Sequence, residues 1–345
     1  MHRSSFTHTF VLSICMVFVV SVAWCIHAVY ISPANSAANA LKQSVQIQNK
    51  DQLPESTLQT ETINTGNSSI LSSSTKSDLF QLTNGLRPGQ SKPIPAAKDV
   101  QEIPVFDVSF YNERGDLISG WLAVSTPNAP VIILAHGTPG DRVDMINRAS
   151  FLFKHGYSVL LFDFQSYGKS QGVMSTLGMV ESGDILAAIS FLHSYPDTIN
   201  SRIGLLGLSM GATASVLAAA RSTDISAVLA ESCPVDATRV PDDVPNDQVR
   251  DADRQLVEEV YGVDITLARP IDVVNKLTGR TAIFFVNGDS DVQTPLDGMK
   301  ALYSAAGEPK QFWVVSGAGH AQSFDVAKAD YETRVDQFFD TYLGF

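Results

Sequence analysis

The sequence predicts an α/β fold: a doubly wound, mostly parallel sheet with an antiparallel start and a small cap insertion. Three observations predict it. Beyond about residue 101, apolar runs of strand length alternate with stretches of helical composition. Several of those runs, such as 130–135, are apolar throughout, as strands covered on both faces are. The first two are instead joined by Asn112-Glu113-Arg114-Gly115-Asp116, a turn composition that makes them a hairpin.

The elements come in this order. The hairpin pairs 105–111 with 117–125, and the buried run 130–135 stops at His136-Gly137-Thr138-Pro139-Gly140. A helix through Phe153 ends at Lys154-His155-Gly156, with Gly156 as its C-cap. The strand 157–162 leads into the turn Asp163-Phe164-Gln165-Ser166-Tyr167-Gly168-Lys169-Ser170, and a helix is expected over about 177–194. The strand 203–208 then meets Gly207-x-Ser209-x-Gly211, which opens a helix of small residues. Further strands are expected at 226–230, 281–286 and 311–315, with a closing helix over 327–343.

Ahead of this domain, residues 10–31 hold 22 positions without Asp, Glu, Lys or Arg, long enough as a helix to span a bilayer core. Arg3 precedes the run and Lys42 is the next charge, so the positive-inside tendency keeps the N-terminus cytoplasmic and exports the rest of the chain. An uncleaved anchor is expected on length. The alternative is a signal segment cleaved near Ala38-Asn39-Ala40. Trp24 before Cys25 does not suit lipoprotein processing. Residues 32–100 are rich in Ser, Thr, Asn and Gln and too poor in apolar surface to offset their ordering entropy, so they are expected to be a disordered linker. Asn67-Ser68-Ser69 within it is a glycosylation sequon.

The net charge is −12, and residues 101–345 carry 31 of the 36 acidic but only 17 of the 24 basic residues. Such a balance disfavours nucleic acid or an anionic membrane surface as partner of the folded part. Cys15, Cys25 and Cys233 form no C-x-x-C pair and no disulfide framework.

Chemistry is carried by Ser209, set at a strand-to-helix turn where flanking glycines let the backbone close. After the strand 281–286 comes Asn287-Gly288-Asp289-Ser290-Asp291-Val292-Gln293-Thr294-Pro295, with two candidate acids, Asp289 and Asp291. After the last strand comes Ser316-Gly317-Ala318-Gly319-His320, a glycine-rich loop able to swing a side chain over the sheet edge. These motifs resemble the α/β-hydrolase superfamily over about 101–345, in the branch with an HG-x-x-G loop and a G-x-S-x-G elbow.

The resemblance implies the order Ser, acid, His along the chain, and hence Ser209 as nucleophile, Asp291 as acid and His320 as base. Its pattern G-x-x-D-x-x-x-P matches Gly288, Asp291 and Pro295, which selects Asp291 over Asp289. It also implies an oxyanion hole from the backbone N–H groups of Met210 and Thr138. Gln165-Ser166 stands where the family usually has Arg-Gly, and Glu181 and Asp184 are expected to be solvated or capping residues. The insertion at about 232–279 is acidic, with scattered apolar residues (Leu256, Val257, Val260, Tyr261) and no interfacial stripe. The expected function is therefore a serine hydrolase acting on a small-molecule ester or related acyl substrate through an acyl-enzyme. No metal or organic cofactor is required, and the membrane is met only through the N-terminal segment. The rival readings are a serine peptidase of the same fold and a non-catalytic binding module.

Overall fold

The computed structural model describes residues 93–237 and 247–344. An eight-stranded sheet runs through them in the order β1-β2-β4-β3-β5-β6-β7-β8. In chain order these are Phe106–Tyr111, Leu117–Ala123, Val131–Ala135, Ser158–Phe162, Ile203–Leu208, Ile225–Glu231, Ala282–Gly288 and Lys310–Val315. β1 pairs antiparallel with β2, and β2 with β4. Every other pairing is parallel. The expected mostly parallel sheet with an antiparallel start is therefore present, its strand ends within two residues of the predicted ones.

Strand periodicity of two divides each run between two cores. On β3, Val131, Ile133 and Ala135 face one way with the helices α2 (Glu181–Ser194) and α3 (Met210–Arg221). Ile132 and Leu134 face the other way with α1 (Ile146–Lys154) and the C-terminal helix Lys328–Leu343. Gly204 on β5 sits close under that second face, where a Cβ would lie 3.0 Å from both Phe339 and Leu343. Ile94, Ala97 and Val100 also pack against the second core, ahead of residue 101.

The chain leaves β3 for β4 on one side and then crosses to β5 on the other. Loops at the carboxyl ends of β3 and β5 therefore diverge over a crevice, the place where open α/β sheets bind ligands. The helix expected from 177 begins at Glu181 instead. Leu177 at φ 56° and Gly178 at φ 103° lie in the left-handed region and cannot belong to the helix.

The insertion holds α4 (Asp247–Tyr261), α5 (Pro270–Val273) and short 3₁₀ turns before α6 (Leu296–Ala305). Its apolar residues are not scattered in three dimensions. Val257 and Tyr261 are buried against Met174 and Val180, with Leu256 and Val260 beside them. Their spacing of three and four puts them on one helical face, and that face docks inward on the 173–180 loop.

The apolar run 10–31, the segment 32–92, Ala38-Asn39-Ala40 and the Asn67 sequon lie outside the described residues. Among the described residues no helix is long and apolar enough to cross a membrane.

Candidate active site

Ser209 occupies the single-residue junction between β5 and α3, at φ 51° and ψ −115°. A non-glycine residue held there stores about 1–3 kcal/mol of backbone strain. Three contacts impose it. Ser209 N–H donates to Glu231 O at 2.9 Å, while the Ser209 carbonyl accepts from Ala212 N and Thr213 N of the first helical turn. Both flanking glycines are obligatory. A Cβ on Gly207 would lie 2.4 Å from Gly211 O, and one on Gly211 would lie 2.1 Å from Ala135 O.

His320 reaches this serine from the loop after β8. Its Nε2 is 2.9 Å from Ser209 Oγ, and its Nδ1 is 3.0 Å from Asp291 Oδ2 and 3.1 Å from Oδ1. Asp291 is buried and also accepts from Gln293 N, Thr294 N and Thr294 Oγ1. Burial works to raise its pKa, but the hydrogen bonds from His320 and Thr294 prevail and hold it at about 2. An ionised carboxylate against Nδ1 makes that nitrogen the protonated one, leaving Nε2 to accept from the serine hydroxyl. Asp289, the rival acid, faces elsewhere: it takes Gly317 N at 2.7 Å and Ser316 Oγ at 3.0 Å.

The loop after β3 runs alongside. Gly137 borders the Ser209 turn, since a Cβ built on it would stand in ordinary van der Waals contact, 3.4 Å, with Ser209 Cβ. His136 is buried beneath it, donating through Nδ1 to Gly137 O at 2.7 Å and accepting Phe164 N at Nε2. Burial lowers its pKa, which keeps the ring neutral in that bridging tautomer. Thr138, next along the loop, accepts at Oγ1 from the buried Tyr167 hydroxyl at 2.8 Å. Met210 is the first residue of α3, where an N–H has no intrahelical acceptor.

Several supports were not singled out from sequence. Glu231 ends β6 fully buried, accepting from Arg148 Nη2, Tyr331 Oη and Ser323 N. Arg148 also donates to Ala321 O, and Ser232 Oγ accepts from Ala321 N, so both grip the residue after His320. A carboxylate closing the apolar run 227–230 was the available signal. Asp163 closes the turn after β4 by accepting from Arg142 Nη2 at 2.7 Å, Arg142 N and Lys169 N. Gly168, at φ 48°, lies so near that a Cβ would come within 2.1 Å of that carboxylate.

Glu181 and Asp184 are not solvated, contrary to expectation. Both are fully buried. Glu181 gathers the preceding loop, accepting from Thr176 N, Thr176 Oγ1, Gly178 N and Ser175 Oγ. Asp184 accepts from Asn112 Nδ2 and Gln165 N, both at 2.8 Å. Loop amides that point inward need acceptors, and sequence spacing does not show which way a loop's amides point. Among the described residues no group of three or more His, Cys, Asp or Glu stands as a metal-binding cluster.

Comparison with known proteins agrees with this architecture. The model of the family described as X-Pro dipeptidyl-peptidase (S15 family) matches residues 86–269, more than half of the chain. An uncharacterized protein of Mycobacterium tuberculosis is 29% identical over 235 residues, 66% of this chain and 76% of that protein. The thiohydrolase aneE of Aspergillus aculeatus is 29% identical over 154 residues, 43% of this chain and 48% of that protein. Among solved structures, the Pyrococcus furiosus esterase Pf2001 has a TM-score of 0.63 at 24% identity, covering 75% of this chain and 100% of that one. That last likeness is one of fold.

Proposed function

The chain belongs to the family described as X-Pro dipeptidyl-peptidase (S15 family), within the α/β-hydrolase superfamily, and from that premise we propose a serine hydrolase acting on a carboxylic ester or related acyl bond. The observation that carries this reading is the relay from Ser209 Oγ through His320 to Asp291, with hydrogen-bond distances of 2.9 and 3.0 Å. A free serine hydroxyl is a poor nucleophile, and an adjacent base removes that limit.

In the proposed reaction Ser209 Oγ attacks the acyl carbon while its proton passes to His320 Nε2. The carbonyl oxygen takes up negative charge against the backbone N–H groups of Thr138 and Met210. Asp291 holds the imidazole's orientation and stabilises the imidazolium. Collapse breaks the bond to the leaving group, which departs with the proton from His320. Water then repeats the sequence on the acyl-enzyme, releasing the acid and restoring Ser209.

A fluorophosphonate probe tests the reading directly. The expected result is one adduct, on Ser209, lost in Ser209→Ala. Folded protein that takes no adduct overturns it. The second reading, a serine peptidase, is favoured by the family membership itself. A matched panel of esters, thioesters and aminoacyl or dipeptidyl amides separates the two: amide turnover equal to or above ester turnover selects the peptidase. The apolar run 10–31 supports a catalytic domain held outside the cytoplasmic membrane, or released after cleavage near Ala40. Intact mass of the exported protein distinguishes these, since only the cleaved form begins near Leu41.

A further inference from the structure

Resting on the reading of Thr138 and Met210 as oxyanion donors, we propose that Tyr167 is the positioning residue that holds the two donors in register. The two belong to separate elements, one to the loop after β3 and the other to the start of α3. Thr138 lies beyond the end of β3 at Ala135 and Met210 opens α3, so both N–H groups fall outside the strand ladder. Their side chains meet at one atom. Tyr167 Oη lies 2.8 Å from Thr138 Oγ1 and 3.3 Å from Met210 Sδ.

The tyrosine is built to be rigid. It is 2% exposed, and its ring meets the His136 ring edge-on at 5.0 Å, on the imidazole that already fixes Gly137. Its turn is closed by Asp163, which binds both Arg142 and the Lys169 amide. Burial raises the phenol's pKa, so it stays a hydrogen-bond donor through the working range. Met210 is held from a second side, because Ser175 Oγ lies 3.3 Å from Sδ and 3.0 Å from the Glu181 carboxylate. The 173–180 loop that carries Ser175 is in turn tied to the cap, where Tyr261 Oη bonds Val173 N, Met174 N and Met174 O. Tyr167 thus bonds both donor residues through one hydroxyl.

Preorganised donors lose their value when displaced by a fraction of an ångström, since the oxyanion must then wait for them to reorganise. The test measures the rate of fluorophosphonate labelling at Ser209, together with ester kcat and KM, in wild type, Tyr167→Phe, Thr138→Val, Thr138→Ser and the Tyr167→Phe/Thr138→Val double variant. Tyr167→Phe is expected to label about tenfold more slowly, less than the 10²–10³ lost with a donor itself. Its kcat should fall in step while KM stays within about twofold, because the contact matters where charge develops. Thr138→Val should slow similarly, and Thr138→Ser, which keeps the acceptor, should regain most of the rate that Thr138→Val loses. The double variant should be faster than the product of the single effects allows. Tyr167→Phe at the wild-type rate, or fully multiplicative effects, overturns the assignment. If Tyr167→Phe fails to fold, the Thr138 pair decides: Thr138→Val at the wild-type rate overturns it. A wild-type protein that takes no label instead overturns the serine-hydrolase reading, a different outcome from any of these.

Discussion

Asp289 and Gly317 are joined by a 2.7 Å hydrogen bond from the Gly317 amide to the Asp289 carboxylate, three residues before His320. The two acids of one loop thus divide the work: Asp291 meets the imidazole, and Asp289 tethers the loop that carries it. Asp289 is exposed, and its pKa is lowered by the Gly317 amide and the Ser316 hydroxyl.

From this division, Asp291→Asn and Asp289→Asn should separate cleanly. Asp291→Asn is expected to lower kcat by about 10⁴, the scale measured for the corresponding change in a serine-protease triad, because an amide presents the wrong partner to Nδ1. Asp289→Asn keeps an acceptor for Gly317 and should cost less than about tenfold. Steady-state kinetics on one ester checks both, and comparable losses would contradict the assignment.

Backbone strain at Ser209 predicts a stability cost at this turn. Ser209→Gly relieves a φ of 51° and should raise stability by about 1 kcal/mol over Ser209→Ala, although both are inactive. Urea denaturation of the two variants measures the difference. Equal midpoints would mean that the turn is unstrained.

The Arg148–Glu231 pair is buried, with side chains 6% and 0% exposed. Removing one partner strands the other charge, so Arg148→Met is expected to cost about 3–5 kcal/mol. Arg148→Met combined with Glu231→Gln should recover part of that loss, as the remaining group is neutral. Thermal melts of wild type and the two variants decide it, and a double variant worse than Arg148→Met would refute the stranded-charge account.

Tyr261 anchors the cap to the 173–180 loop through three backbone partners, Val173 N, Met174 N and Met174 O. Tyr261→Phe leaves those buried groups without their acceptor or donor and should cost about 1–3 kcal/mol. Hydrogen exchange should show the gain in opening confined to 173–180 and α4. A uniform increase across the sheet would place the effect elsewhere.

Two buried carboxylates give opposite pH dependences. Asp184 is pushed up to about 8, chiefly by burial, against the hydrogen bonds from Gln165 N and Asn112 Nδ2. A raised carboxylate keeps its proton in the folded state, so its contribution is full below about pH 4 and declines as pH rises toward 8. Asp291, held at about 2, contributes above about pH 4 and loses that contribution as pH falls toward 2. Wild type should therefore lose unfolding free energy between pH 6 and 8, and Asp184→Asn should flatten that fall. Parallel curves for the two proteins would reject the assignment to Asp184.

Most of the fold was legible in one dimension because its signals are local. Apolar runs such as 130–135 report a doubly covered strand wherever they occur, and Gly207-x-Ser209-x-Gly211 reports a junction that only small residues can close. His320 was legible for a related reason, as a histidine on a glycine-rich loop after the last strand. The choice of Asp291 over Asp289 came from a family pattern.

The sequence by itself determined the alternation of strand and helix, the sharp turn at Ser209 and the chain order Ser209, Asp291, His320. Only the tertiary structure decided the surroundings of the buried charges. Glu181 and Asp184 look like ordinary residues of a first helical turn, yet each serves inward-pointing loop amides. Glu231 meets Arg148 across 83 residues, and Tyr167 reaches Met210 across 43. Periodicity describes which face of an element is apolar. It carries no record of which distant donor will arrive opposite a given acceptor, because that depends on how the sheet twists and how the loops above it close.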